Sequence, residues 1–429
     1  MTSVDQGPWF PFPAHERDAS QPLPLAAQLL HRQGRTMQRA GAEKANTVIS
    51  WRFKGQFDHQ AMTLALDHLI QAHDMFRIQL ESRGELGMMR EGTAAPPPLE
   101  AVEDKDLDRE MQRWVGAKTP PDHPSCSYRL FRTGPDTCAL GLGGGHELLD
   151  AWTISNMTFK LAQCYNSILE GDALPKTPDP QYMHFAAWVN TLIKSEDLKP
   201  SRQYWESALQ NTVPVFAAPL DRDISRHPMA AASAALPLSP DLRDGFEDLV
   251  RGQECTRFEG YFTLFNMVLS QLSGKEDILT AFAASVRRQP ELRAIPGCLL
   301  NRVYVPLQVR AGDDFRTLLR RVHRKLQEAK KHLLWPAWQD VDPQGNGYPG
   351  AFFHYAREGE LGRPEFKGLE CTSSRIYFFD YSPLPLVLQV TEDSKRPMLF
   401  GLGQAGFCAE SGLEDILHRY ARLMKEIVA

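Results

Sequence analysis

Two residues in this chain combine reactive side chains with suggestive spacing: His146 and Asp150, in Gly143-Gly144-Gly145-His146-Glu147-Leu148-Leu149-Asp150-Ala151-Trp152. An imidazole accepts and donates protons near physiological pH, so His146 is a candidate acid–base group. Alternating residues over 138–143 read as a strand, and a helical pattern runs over 152–170. The pair therefore sits on a strand-to-helix turn, the kind of loop on a rigid scaffold where reactive groups collect. Three consecutive glycines are expected to let the backbone bend there without Cβ clashes. By itself this spacing more often marks an ordinary surface pair or a local turn hydrogen bond.

The elements that must hold this turn can be read along the chain. Residues 7–24 are rich in Pro and aromatics and are expected to be extended. A helix opens after Pro24. Residues 47–53 read as a strand. Asp58 is a suitable N-cap for a helix with Met62, Ala65, Leu66, Leu69 and Ile70 on its apolar face. Phe76, Ile78 and Leu80 alternate as a strand does, and 128–131 is a further short strand. The helix after the turn buries Ile154, Met157, Leu161, Tyr165 and Ile168 and stops at Gly171. The turn-rich stretch 171–180 marks a boundary, giving an N-terminal lobe 1–174 and a C-terminal lobe 175–429. The second half is expected to carry helices over 182–209, an irregular region over 211–238, and a buried helix over 258–272. Strands over 277–286 and 303–309 follow, then a helix over 315–334. Strands near 350–356, 384–391 and 397–402 precede a last helix. The class is α/β (α+β) with two halves.

Composition narrows the function. The chain has 429 residues, 42% hydrophobic and 24% charged, with a net charge of −5, an ordinary globular profile. No long basic run suggests nucleic acid as a partner. No apolar run reaches the roughly 18 residues of a membrane span, and the N-terminus carries no signal pattern. The seven cysteines are scattered without a CxxC pair, which reads as reduced thiols with no metal site. A cytoplasmic monomer is expected.

His146-x-x-x-Asp150, followed by a small residue and Trp152, resembles the HHxxxDG motif of nonribosomal peptide synthetase condensation domains, members of the chloramphenicol-acetyltransferase-like superfamily of coenzyme A-dependent acyltransferases. Further segments follow in order. Leu25-Ala26-Ala27-Gln28 resembles SxAQ, and Ala72 to Ile78 resembles RHExLRT. Tyr182-x-x-Phe185-Ala186-x-Trp188 resembles YxDFAxW, and Tyr204-Trp205 with Leu209 resembles YWxxxL. Ser285 to Leu292, running on to Asn301, resembles GRxxPEL…IGxxVN. The resemblance implies two chloramphenicol-acetyltransferase-like lobes in a V around a central tunnel. It also implies acyl or aminoacyl transfer from a carrier-protein thioester to an amine or hydroxyl. His146 would be the catalytic residue, Asp150 and Arg287 a structural salt bridge with Arg288 as rival partner, and the backbone at Ala151 and Trp152, with Gly145, the oxyanion or substrate-binding candidates. No cofactor is bound; the donor rides on the phosphopantetheine of a carrier protein in trans, or on coenzyme A, and a small molecule is the acceptor.

The chain departs from the motif at Gly145, where the first His is usual, and at Ala151, where Gly is usual. Ala151 is tolerated if its φ is negative. Glu147 is expected to face solvent, or to raise the pKa of His146 if close. His73, His184 and Asn301 are expected to be structural, and Trp335, Trp338, Phe378, Phe379 and Tyr381 to be core or tunnel lining. Two other functions fit the same residues: an acyl-coenzyme A-dependent O- or N-acyltransferase, and a catalytically silent carrier-recruitment module, against which the retained His146 argues.

Overall fold

In the computed structural model, the described residues are 20–39, 41, 46–120, 122–176, 180–213, 215–216, 219–341, 350–356, 363–377, 380–392 and 396–429. Each lobe is organised on a mixed sheet. The first sheet runs in the order Leu369–Tyr377, Asn46–Gly55, Thr137–Gly145, Cys126–Arg132, Leu99–Ala101. The second runs Leu300–Gln308, Asp277–Ser285, Ala351–Ala356, Leu386–Thr391, Met398–Gln404, Ala231–Pro237. A small third sheet joins Ser20–Pro22, Leu86–Glu91 and Ile78–Arg83.

Period-two alternation builds both faces of the first sheet. Ile49, Trp51 and Phe53 face the main core with Leu66, Leu69 and Leu161. Val48 faces the opposite side, where Leu107, Met111 and Val115 of the helix Asp104–Gly116 close a smaller cluster. The helix His59–Ala72 starts at Asp58, whose carboxylate accepts the Ala61 N–H at 2.9 Å. The seven cysteines are all free. Among the described residues no helix is long and apolar enough to cross a membrane.

Several expectations are corrected. Gly143, Gly144 and Gly145 do not form a bend. They continue the strand, paired with Val48, Thr47 and Asn46. What they provide is space: a Cβ at Gly143 would lie 2.8 Å from the Trp114 ring, and one at Gly144 would lie 2.7 Å from the Ser125 carbonyl oxygen. The region 211–238 contains the edge strand Ala231–Pro237. The helix expected to reach 334 ends at Lys331. Phe378 and Phe379 lie outside the described residues. Trp335 and Trp338 are buried, and Tyr381 is half-buried.

The two halves are not separate in the sheets. Leu369–Tyr377, from the second half, pairs antiparallel with Asn46–Gly55 of the first. Its end is pinned where Arg52, Arg375 and Tyr377 converge on the Asp108 carboxylate at 2.9, 2.7 and 2.5 Å. In the other direction, buried Asp74 accepts the N–H groups of Tyr182 and Met183 at 3.1 and 3.0 Å, docking the helix Tyr182–Leu192 on the first lobe. His73 immediately precedes it, 1% exposed, with its Nδ1 unpartnered.

Burial, reinforced by positive charge at Lys160, His68 and Arg77, pushes the His73 imidazole down from 6.5 to about 3. The unfolded chain then binds a proton at this residue below pH 6.5 that the folded chain refuses. Stability from this site is complete above that pH and declines as the pH falls toward 3. The limiting slope is about 1.4 kcal/mol per pH unit. His73→Gln is expected to flatten the acid limb of urea-unfolding free energies measured between pH 7 and 4, relative to wild type.

Candidate active site at the seam of the lobes

The strand Thr137–Gly145 and the helix Ala151–Glu170 flank the turn that carries His146. His146 is exposed. Its Nδ1 lies 2.6 Å from the Leu149 carbonyl oxygen. A carbonyl only accepts, so Nδ1 carries the proton. In the neutral ring the lone pair is then on Nε2, the tautomer a general base requires.

Asp150 closes the turn as the N-cap of the following helix, accepting the Thr153 N–H at 2.8 Å on Oδ1. Its Oδ2 accepts the Leu299 N–H at 3.0 Å and the Arg287 Nη1 donor at 2.6 Å. Both side chains are buried, at 1% and 4% exposure. The structure thus brings together Asp150 and Arg287, while Arg288 instead donates to the Lys330 carbonyl. Arg287 Nη2 donates to the Gly297 carbonyl at 2.6 Å and to Thr153 Oγ1 at 3.1 Å. The Arg287 guanidinium also stacks 4.3 Å over the Trp152 ring, a cation–π contact.

Thr153 doubles the seam. Its hydroxyl donates to the Gly297 carbonyl at 2.7 Å and accepts the Gly297 N–H at 2.9 Å. Gly297 needs to be glycine: its φ is 137°, and a Cβ would lie 2.1 Å from the Tyr182 ring. The Tyr182 hydroxyl in turn donates toward the carbonyls of Glu147 and Cys298, at 3.1 and 3.3 Å. Burial, with neighbouring Cys298, Asp150 and Glu147 adding to it, holds this phenol well above its usual range, so it stays a neutral donor. Thr153 and Tyr182 were not singled out as site residues from sequence; only their positions in or beside the motifs hinted at them.

Ala151 and Trp152, both half-buried, form the first turn of the helix Ala151–Glu170. N–H groups in a first turn have no intrahelical acceptor and face incoming negative charge. The helical backbone at Ala151 gives its Cβ no strain. Glu147 corrects an expectation: it does not face solvent. Its side chain is 14% exposed and its Oε1 stands 3.7 Å from Nδ1 of His31. Asn301 is structural, donating to the Leu333 and Trp335 carbonyls at 2.7 and 2.8 Å. His184 completes the capping box at Gln181.

Away from the seam, Cys255, Glu259 and His323 bring donor atoms within 4.8 Å of one another, as a metal site would. Glu259, however, already uses one oxygen for the Thr256 N–H at 2.8 Å and the other for His323 at 3.1 Å. Burial, with the Glu259 charge adding to it, pushes the Cys255 thiol up to about 11. Helix capping and a hydrogen bond account for this cluster.

A family profile described as "Condensation domain" matches residues 36–338. The chain belongs to the condensation-domain family. A linear gramicidin synthase of Brevibacillus parabrevis is 26% identical over 356 residues, which are 80% of this chain and 4% of that synthase. The chain therefore spans a small part of that relative's length. The fold matches the condensation domain from the monacolin K polyketide synthase MokA, with TM-score 0.80 at 18% identity, covering 96% of this chain and 98% of that one. It also matches the X-domain from teicoplanin biosynthesis, with TM-score 0.83 at 16% identity and 97% coverage of both chains. The condensation-domain fold has two chloramphenicol-acetyltransferase-like lobes, and the ion pair and the Thr153–Gly297 clasp lie between them.

Asp150→Ala leaves the Arg287 charge buried without its partner. A loss of about 3–5 kcal/mol of unfolding free energy in urea is expected. Gly297→Ala, which forces a Cβ into the Tyr182 ring at positive φ, is expected to cost at least about 2 kcal/mol in the same assay.

Proposed function

We propose that this condensation-domain protein transfers an acyl or aminoacyl group from a phosphopantetheine thioester on a carrier protein to an amine or hydroxyl, forming an amide or ester in nonribosomal peptide or related secondary-metabolite synthesis. The observation that carries this reading is the exposed His146 on its turn, with Nδ1 turned to the Leu149 carbonyl, on a mount clasped from the second lobe. Family membership supports the reaction class, and relatives such as the gramicidin synthase support the biosynthetic setting.

In this mechanism the acceptor nucleophile hydrogen-bonds to His146 Nε2. As it attacks the thioester carbonyl, the imidazole takes its proton, and the Leu149 carbonyl opposite Nδ1 supports the resulting imidazolium. Negative charge grows on the carbonyl oxygen. The Ala151 and Trp152 N–H groups at the start of the following helix are the donors suited to it. Collapse of the tetrahedral intermediate expels the phosphopantetheine thiolate, which recovers the proton. Asp150 and Arg287 are spent on each other and on backbone, so their contribution is to the shape of the turn.

A second reading draws on the teicoplanin X-domain, a relative also solved in complex with OxyB. In that reading this chain recruits a partner without catalysing transfer. The two readings separate in one assay. The protein is incubated with an acylated carrier protein, or with the matching acyl-coenzyme A, and a panel of amines and alcohols, and product is followed by mass. Turnover from the carrier that falls at least about 100-fold in His146→Ala supports the transferase. Turnover from coenzyme A alone indicates a small-molecule acyltransferase. Carrier binding without product from either donor indicates recruitment.

A further inference from the structure

Position 145 carries no side chain, yet the space beside it is filled. A Cβ at Gly145 would lie 2.6 Å from Glu147 Oε2, 2.8 Å from its Cδ and 3.0 Å from its Oε1. The glutamate two residues on has folded back into the volume where a residue 145 side chain would begin. Its backbone is held in place by the Tyr182 hydroxyl, 3.1 Å from the Glu147 carbonyl oxygen. Its carboxylate meets His31 of the helix Leu25–Arg39, with Oε1 3.7 Å from Nδ1. His31 is 8% exposed, and its other ring nitrogen lies 3.1 Å from Ser82 Oγ on the strand Ile78–Arg83. Gly87 keeps room for the imidazole, since a Cβ there would come within 2.9 Å of its ring. The helix that carries His31 also reaches the second lobe, where Arg302 Nη2 stands 3.3 Å from Gln33 Oε1.

We propose that Glu147 and His31 are positioning residues that together replace the missing side chain at position 145. The carboxylate wedges the end of the strand Thr137–Gly145, and His31 anchors the carboxylate to the helix and the small sheet behind it. An imidazole from a different element, His31, stands behind that carboxylate, with Nδ1 3.7 Å from Oε1. His146 directly adjoins Glu147 in the chain, so the wedge sets where the reacting ring points. Gly145, Glu147 and His31 thus form one coupled set. The inference rests on His146 being the reacting group for its effect on rate, and on geometry alone for its effect on stability.

The test is a cycle of four proteins: wild type, Gly145→His, Glu147→Ala and Gly145→His/Glu147→Ala, each assayed for carrier-dependent transfer and for urea unfolding. Gly145→His drives a side chain into the carboxylate and is expected to lower kcat about tenfold or more, with KM for the acceptor within about twofold. Removing the carboxylate in the double variant restores kcat by about fivefold or more over Gly145→His, although Glu147→Ala alone lowers it. The unfolding free energies show the same non-additivity. Gly145→Ala, a milder intrusion, repeats the pattern if Gly145→His does not fold. His31→Gln, which keeps a polar side chain of similar reach beside Glu147, retains more kcat than His31→Ala. Additive effects of positions 145 and 147 in both rate and unfolding would overturn the inference. If His146→Ala leaves transfer unchanged, the catalytic reading fails, while the unfolding cycle still decides the coupling.

Discussion

A carboxylate and a guanidinium taken out of water between two lobes are the constraint on which this molecule depends. Moving either charge from water into the interior costs several kcal/mol, and only close geometry with full hydrogen bonding offsets it. Asp150 meets that condition with three donors: one from its own helix, one from the second-lobe backbone at Leu299 and one from Arg287. The carboxylate is therefore both the N-cap that starts a helix and the anchor of a contact between lobes. Moving one lobe relative to the other would break the Leu299 and Arg287 contacts and leave the carboxylate with its own cap alone. Removing either partner of a buried pair strands the other charge in the interior, which costs more than the pair contributes net.

The rest of the seam is arranged around that pair. Thr153 exchanges two hydrogen bonds with Gly297, Tyr182 bridges the Glu147 and Cys298 carbonyls, and the Trp152 ring lies against the guanidinium. Together these contacts tie the segment 147–153 to the segment 287–299. The turn that presents His146 is thus held by backbone and buried side chains on both sides, while the imidazole itself stays exposed. His146 thus combines a fixed mount with an exposed ring.

Much of this was legible in the residues. Apolar periodicity placed the helices His59–Ala72, Ala151–Glu170 and Arg257–Ser273, because each buries a stripe against a sheet or another helix. The spacing His146-x-x-x-Asp150 and the segment around Arg287 located the seam through family resemblance. What stayed hidden has physical reasons. The strand Leu369–Tyr377 is mostly exposed, so it carries no alternating apolar signal, and its place is decided by backbone pairing with Asn46–Gly55 and by charges gathered on Asp108. The helix Asp104–Gly116 has its signal in Leu107, Met111 and Val115, diluted among polar residues, and packs on the sheet face that the glycines of Thr137–Gly145 leave open. The folded-back Glu147 could not be read from sequence, since it depends on His31, more than a hundred positions earlier in the chain.

The central claim is that Asp150 and Arg287 act as one unit across the seam. A double-mutant cycle in urea unfolding with Asp150→Asn, Arg287→Gln and the combined variant measures it directly. The account predicts that each single change is costly and that the second adds little, giving a coupling free energy above about 1.5 kcal/mol. Costs that simply add would mean that the two side chains are neighbours without being partners, and the account of how the His146 turn is held would be contradicted.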